Sequence, residues 1–379
     1  MPGIHENNML GLTFEDPSQY DTSEARTAPA PNEENQDAHG QEDQSGNFSE
    51  ADLQSVITGL QSHVRGQQAR SHVSVSSVGD SGIVHVQIKG DAGTFEKVGI
   101  DNMNTSNGPK ELHYLSVPSQ GFQPHAVGGD KPYFDKDMQG GVPDEYSQQS
   151  LVSNSAPGSS SHAFINGGYF NVAGRANKNL PEHAPIGETA TPSGNGESDT
   201  PGGKKIEHIP HPAEYEDDYR TITFKDGSKL TTAPILSDHG GRAAFPQEKL
   251  LDPKYRYQGR DKDKPGVLKH AQHPNPRSGV SFPGAISSEN AYRLAAGFTP
   301  PGQQRGSASS GFTMPEWSTA MARMDRLNQN PGGSLNLDGG GSAALGVVNS
   351  EGEKLFDKRQ NNEQAASTLL SLSSDPETT

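Results

Sequence analysis

The sequence predicts an α+β fold: a mixed β-sheet core with few helices, preceded by a disordered acidic N-terminal leader. Three observations predict it. Only 30% of the 379 residues are apolar, so the chain holds one moderate core plus long polar stretches. With 44 Gly and 28 Pro, two all-helical domains are excluded, because both residues break helices. Short apolar runs of period two recur between turn-forming residues, as strands require.

The leader comes first. Residues 1–50 hold eleven acidic residues and one basic residue, Arg26, for a net charge of −10 out of −16 for the chain. Such a segment cannot bury enough apolar surface to offset its chain entropy. A short helix fits 51–70, where Leu53, Val56, Ile57 and Leu60 share a face, and the leader as a whole is taken as 1–71. Strands follow at Val73–Val75, Ile83–Ile88 and His113–Val117, then a mostly looped stretch over 119–160. His162–Asn166 reads as a buried strand running into Gly167-Gly168. Residues 174–217 form a long polar insertion rich in Gly, Pro and Glu. Tyr219–Phe224 and Lys229–Thr231 flank Asp226-Gly227 as a hairpin. Short strands are expected at Ala233–Leu236 and Gly279–Phe282.

One helix is strongly signalled. Thr313-Met314-Pro315-Glu316 has the form of a capping box, and Trp317, Ala320, Met321, Met324 and Leu327 follow at helical spacing. It should stop before Asn330-Pro331-Gly332-Gly333. The next strand, Ser334–Leu337, ends in Asp338-Gly339-Gly340-Gly341-Ser342.

Several functional classes drop out. No run of about 18 apolar residues is present, so membrane insertion is not expected. The start, MPGIHENNML, is not a conventional signal peptide. Cysteine is absent, which removes disulfides and thiolate chemistry. The acidic balance argues against nonspecific nucleic-acid binding. The polar leader suits a narrow secretion apparatus. Non-classical, type III-like export into host cells is therefore the expectation, with that apparatus or a chaperone as the partner of 1–71. A solvated tail on a cytoplasmic protein is the alternative.

Chemistry concentrates at two glycine-rich strand ends. Asp338 leaves a buried strand, where a carboxylate can act as general acid or base. The N–H groups of Gly339, Gly340 and Gly341 could form an anion nest beside Ser342. A plain turn in which Asp338 caps its own glycines is the alternative. At the other end, Asn166 could bond hydroxyls or phosphate, Gly167 and Gly168 allow close approach, and Tyr169 or Phe170 could stack on a sugar; two core aromatics are the alternative. Arg242 and Arg277 are candidate forks for phosphate oxygens, or ordinary surface residues. Adjacent Ser237, Asp238 and His239 cannot easily converge as a triad. The pairs His208/His211 and His270/His273 lie in Pro-rich loops without metal-ligand spacing, so no metal or other cofactor is expected.

Four blocks in order resemble the phosphodiester glycosidase domain family: FINGGYFN from Phe164, NPRSGV from Asn275, GFTMPEWSTAMARM from Gly311 and LNLDGGGSAAL from Leu335. The segment Lys358–Asn362 through Leu369–Leu372 is similar to the family's closing strand. The resemblance covers about 160–373 and implies one such domain over 72–373, with 374–379 as a tail. It implies a pocket lined by Asn166, Gly167, Gly168, Arg277, Asp338, Gly339, Gly340 and Ser342, and hydrolysis of a sugar phosphodiester to a phosphomonoester. Arg277 and the glycine N–H groups would hold the phosphate, while Asp338 would activate water or support the sugar cation. Ala343 stands where the family has a second serine, and Ser278 where it has threonine. The expected partner is a small-molecule or glycan phosphodiester, in keeping with a secreted bacterial effector. A non-catalytic glycosyl-phosphate binding module, or an interaction protein acting through its leader and loops, is the alternative.

Overall fold

The computed structural model describes residues 13–14, 72–104, 108–133, 161–171, 184–191, 204–205, 208–256, 266, 268–288, 290–299, 311–351, 353–360 and 366–374. Of the leader, this includes only Thr13–Phe14 before residue 72; the expected disorder and the 51–70 helix lie outside the described residues. Those two residues form a strand, β1.

The chain then builds two large sheets. Val73–Ser77 (β2), Val84–Gly90 (β3) and Lys110–Pro118 (β4) form a meander, with a short helix α1 at Ala92–Lys97. Phe122–Tyr133 (β5) and Ser161–Asn166 (β6) follow. Ala190–Thr191 (β7), Lys204–Lys205 (β8), Arg220–Thr223 (β9) and Lys229–Thr232 (β10) join β1 in a small sheet. Then come Ile235–Ser237 (β11), Arg277–Pro283 (β12), Ala291–Phe298 (β13), helix α2 at Met314–Asp325, and Pro331–Leu337 (β14). Ala344–Asn349 (β15), Lys354–Arg359 (β16) and Ala366–Ser374 (β17) close the chain.

The seven-stranded sheet runs β11-β14-β12-β13-β4-β3-β2, and the five-stranded sheet runs β16-β15-β6-β17-β5. Alternation along the strands makes three layers. In β4, Leu115 and Val117 face the five-stranded sheet, where they meet Ile165, Leu345 and Leu370. Leu112 and Tyr114 face the other way, onto Phe95 of α1 and the Trp317 stripe of α2. The seven-stranded sheet is thus covered on both faces, and β4 and β12 are buried at every residue.

Every pairing between the described strands is antiparallel, which corrects the mixed sheet expected from sequence. The strand-helix-strand run from β13 through α2 to β14 is parallel in direction, but β12 is paired between the two strands. The helix crosses over a strand instead of joining neighbours.

The capping box of α2 is present on both sides, with Pro315 in the first turn. The Asp226-Gly227 hairpin also forms, with Gly227 at φ +80. Within 119–160, expected to be mostly loop, the described part carries a strand, β5, which pairs with β17 from Phe122↔Ser374 onward; 134–160 lie outside the described residues. β5 is an edge strand, where Pro124 costs no ladder bond. Within 174–217, Ala184, Ile186 and Ala190 are buried, and Ile186 belongs to the helix-side core.

The cap of α2 is also an ion-pair site. Glu316 accepts from Thr313 N–H and Asn104 N–H, each at 2.8 Å, and pairs with Lys110 Nζ at 3.3 Å. Both side chains are buried, at 0% exposure for Lys110 and 3% for Glu316. Removing one partner strands the other charge. Lys110→Ala should cost about 3–5 kcal/mol in urea unfolding. The double variant Lys110→Met/Glu316→Gln should cost less than the two single changes summed.

Candidate active site

The site grows from the end of β14. As the chain leaves the sheet, Asp338 N–H donates to Gly167 O at 2.8 Å, and Gly167 N–H donates to Thr368 O at 2.8 Å. A 3-10 turn at Gly340–Ser342 then leads into β15. The Ser342 hydroxyl and the Gly339 N–H both bond the Asp338 carboxylate. Burial pushes that carboxyl up to about 6, against the opposing pull of those two bonds and of Arg277. The residue nevertheless keeps partial contact with solvent. The end of β14 is thus half-buried at Asp338, at the edge of the core.

Arg277 is buried on β12 beside it, and its charge acts on both Asp338 and Tyr169. Its fork is mostly engaged: Nε donates to Phe312 O at 3.0 Å, and Nη2 to His270 O at 2.8 Å and His273 O at 3.1 Å. This corrects the expectation of a free bidentate phosphate fork. The guanidinium ties two loops together and leaves Nη1 without an acceptor among the described residues.

Asn166 is fully buried, and its amide binds protein only. Nδ2 donates to Asp338 O at 2.6 Å, while Oδ1 accepts from Ser278 Oγ at 2.7 Å and Ala344 N–H at 3.1 Å. It therefore positions the turn and is not available to substrate hydroxyls. Gly167 and Gly168 are buried packing positions. A Cβ would meet Thr368 Oγ1 at 2.1 Å in the first and Thr231 O at 2.3 Å in the second. The nest is largely closed too. Gly339 N–H is held by Asp338, Gly340 N–H donates to Pro276 O at 2.9 Å, and Ser342 N–H to Gly339 O at 3.2 Å. Gly341 and Ser342 are buried, whereas Gly340, at φ +63, faces open space.

Tyr169 is partly exposed. Its oxygen accepts from Asn336 Nδ2 at 2.8 Å, and its ring meets Tyr219 edge-on at 6.5 Å. Arg242 is not brought to this site. It is 83% exposed and bound to Asp238 at 2.8 Å on the turn after β11. That turn lies by the opposite end of β14, since Ser237 pairs with Ser334. Ser237 points to Asp325 and not to His239. Among the described residues, no group of three or more His, Asp or Glu could hold a metal ion. No helix among them is long and apolar enough to cross a membrane.

Sequence reading missed Asn336. It is fully buried on β14, and the two hydrogens of its Nδ2 are shared among Ala233 O at 2.9 Å, Leu337 O at 2.7 Å and the Tyr169 hydroxyl. The available signal was an amide between two leucines of an otherwise apolar strand. Tyr219 and His211, stacked at 4.7 Å, continue the wall beyond Tyr169.

No family model and no curated protein matches the chain. Three solved structures are similar in fold at low identity. A hypothetical protein from Synechocystis is 11% identical, with a TM-score of 0.39 over 77% of this chain and 62% of its own. The catalytic domain of zebrafish N-acetylglucosamine-1-phosphodiester alpha-N-acetylglucosaminidase is 15% identical, with a TM-score of 0.37 over 79% and 86%. A Burkholderia pseudomallei protein is 12% identical, with a TM-score of 0.41 over 79% and 96%. The chain thus spans less than two thirds of the Synechocystis protein.

Two stability measurements test the geometry. Asn166→Ala leaves the Ser278 hydroxyl, the Ala344 N–H and the Asp338 carbonyl without partners and should cost about 3 kcal/mol or more. Gly340→Ala, strained only by its positive φ, should cost about 1–2 kcal/mol. Besides these two substitutions, a pH series tests Asp338. Its folded pKa of about 6 lies above the ordinary 3.8, so the folded state binds more protons between those values. Stability therefore falls as pH rises through that window. Asp338→Asn should raise the melting temperature above pH 6, with the gain disappearing below about pH 4.

Proposed function

We propose that the chain is a hydrolase of the phosphodiester glycosidase type, releasing a sugar from a phosphodiester and leaving a phosphomonoester. The observation that carries this reading is the Asp338 carboxyl, pushed up to about 6 beside Arg277 and Tyr169. The sequence blocks around these residues resemble that family's motifs, which supports the same reading. A carboxylate with such a pKa is ionised at neutral pH yet basic enough to accept a proton from water.

The reaction then runs as a displacement at the anomeric carbon. Water attacks and passes a proton to Asp338. The bond from carbon to the phosphate oxygen breaks, and its electron pair leaves on the phosphate. Arg277 lies where that negative charge develops, in a buried setting that strengthens its field. The groups acting on Asp338 include Arg277 but no second carboxylate among the described residues.

The test is phosphomonoester release from a panel of sugar-1-phosphodiesters and nucleotide sugars. For the wild type, log kcat/KM should rise with unit slope below about pH 6 and level above it. Asp338→Asn should lose on the order of 10²–10⁴-fold. Full activity in Asp338→Asn would remove the base assignment. Sugar-phosphate binding without turnover would mark a binding module.

A further inference from the structure

The residues read from sequence as anion ligands are, in the structure, mostly engaged elsewhere. The Asn166 amide, the Arg277 Nε and Nη2, and the N–H groups of Gly339, Gly340 and Ser342 all have acceptors within the protein. Besides the Gly341 N–H, two side-chain donors of the site keep a hydrogen that no described residue accepts. One is Arg277 Nη1. The other is the Tyr169 hydroxyl.

The direction of the Tyr169 proton follows from its neighbour. Asn336 is fully buried, and two backbone carbonyls, Ala233 O and Leu337 O, lie 2.9 and 2.7 Å from Nδ2. Turning the amide over would set its oxygen against both carbonyls, so the nitrogen faces Tyr169. Nδ2 has two hydrogens for these three oxygens, so the phenol oxygen shares one of them as an acceptor, and its own hydrogen points elsewhere. Burial keeps the phenol protonated far above neutral pH. The ring is set edge-on to Tyr219 with its hydroxyl anchored by Asn336, which does not suit a face-on sugar platform.

Resting on the hydrolase reading, we infer that Tyr169 is a catalytic residue of this site: its hydroxyl, with Arg277 Nη1, donates to the charged phosphate oxygen of the bound phosphodiester. Asn336 is the positioning residue that fixes this donor. The substrate class is one whose leaving group departs as an anion. Tyr169 keeps its proton throughout. The electron pair of the broken carbon–oxygen bond rests on the phosphate, and the proton from water goes to Asp338 and then to solvent. The hydroxyl supplies a hydrogen bond that strengthens as charge builds up on that oxygen.

The experiment compares wild type with Tyr169→Phe, which keeps the ring. Rates are measured on sugar phosphodiesters whose leaving phosphates span a range of basicity. Binding of inorganic phosphate is measured by calorimetry, and folding by thermal unfolding. Tyr169→Phe should fold, lose on the order of 10²-fold in kcat/KM, lose most with the most basic leaving group, and bind phosphate more weakly. Asn336→Leu should shift the same readouts in the same direction, provided its thermal unfolding stays cooperative. A folded Tyr169→Phe with wild-type rates and phosphate affinity overturns the assignment. So does a uniform loss across leaving groups with unchanged phosphate binding. If wild type turns over no substrate but binds phosphate in a Tyr169-dependent way, the donor assignment stands and the hydrolase reading falls. If it neither turns over substrate nor binds phosphate, both fall.

Discussion

A single buried amide holds the two large sheets in register at the site. Asn166 ends β6 in the five-stranded sheet. It donates to the carbonyl of Asp338, just past β14, and accepts from Ser278 of β12, both on the seven-stranded side. Its remaining bond returns to Ala344, where β15 begins. The core between the sheets is apolar and therefore non-directional: Leu115, Val280, Leu337, Ile165 and Leu345 would tolerate small slides. A fully enclosed amide tolerates none, because each displaced bond would leave a polar group stranded. Placement of Asp338 thus depends on hydrogen bonds that make no contact with a ligand.

The same constraint explains why so many donors face inward. Gly167 and Gly168 are small because Thr368 and Thr231 occupy the space a side chain would need. Gly339 is small because Pro276 O lies 2.6 Å from where its Cβ would be. These glycines let three chain segments cross at close range, and their N–H groups donate to oxygens of the crossing segments: Gly167 to Thr368 O, Gly340 to Pro276 O and Gly339 to the Asp338 carboxylate. What remains for chemistry is a short set of side chains projecting from this rigid crossing. Preorganisation of that kind avoids reorganisation as charge develops.

Local signals in the sequence were legible where local physics decided the structure. The capping box from Thr313 to Glu316, the Asp226-Gly227 hairpin and the buried strand ending at Asp338 each follow from a few adjacent residues. β13 left no such signal. Ala291–Phe298 is rich in alanine and carries Arg293, and it is a strand because β4 and β12 flank it. Arg277 was legible only as a candidate phosphate fork or an ordinary surface residue; it is buried, and its partners are carbonyls at 270, 273 and 312, which no side-chain pattern announces. Asn166 was legible as a polar residue at a strand end. Its use inside the protein depends on Ser278, Asp338 and Ala344, over one hundred residues away.

The charges around the site alternate in sign from the core outward. Lys110 pairs with Glu316, Glu316 also acts on Arg277, and Arg277 acts on Asp338. Each inner member has a partner on both sides. If Asp338 takes up a proton, Arg277 is still balanced by Glu316, and Glu316 still by Lys110. Isolated, a buried arginine facing a newly neutral carboxyl would be an unpaired charge, and the protonated state would be costly. The chain of pairs removes that cost and lets Asp338 change charge alone. The elevated Asp338 pKa has a separate origin: burial raises it, and the bonds from Ser342 and Gly339 and the charge of Arg277 offset only part of that rise.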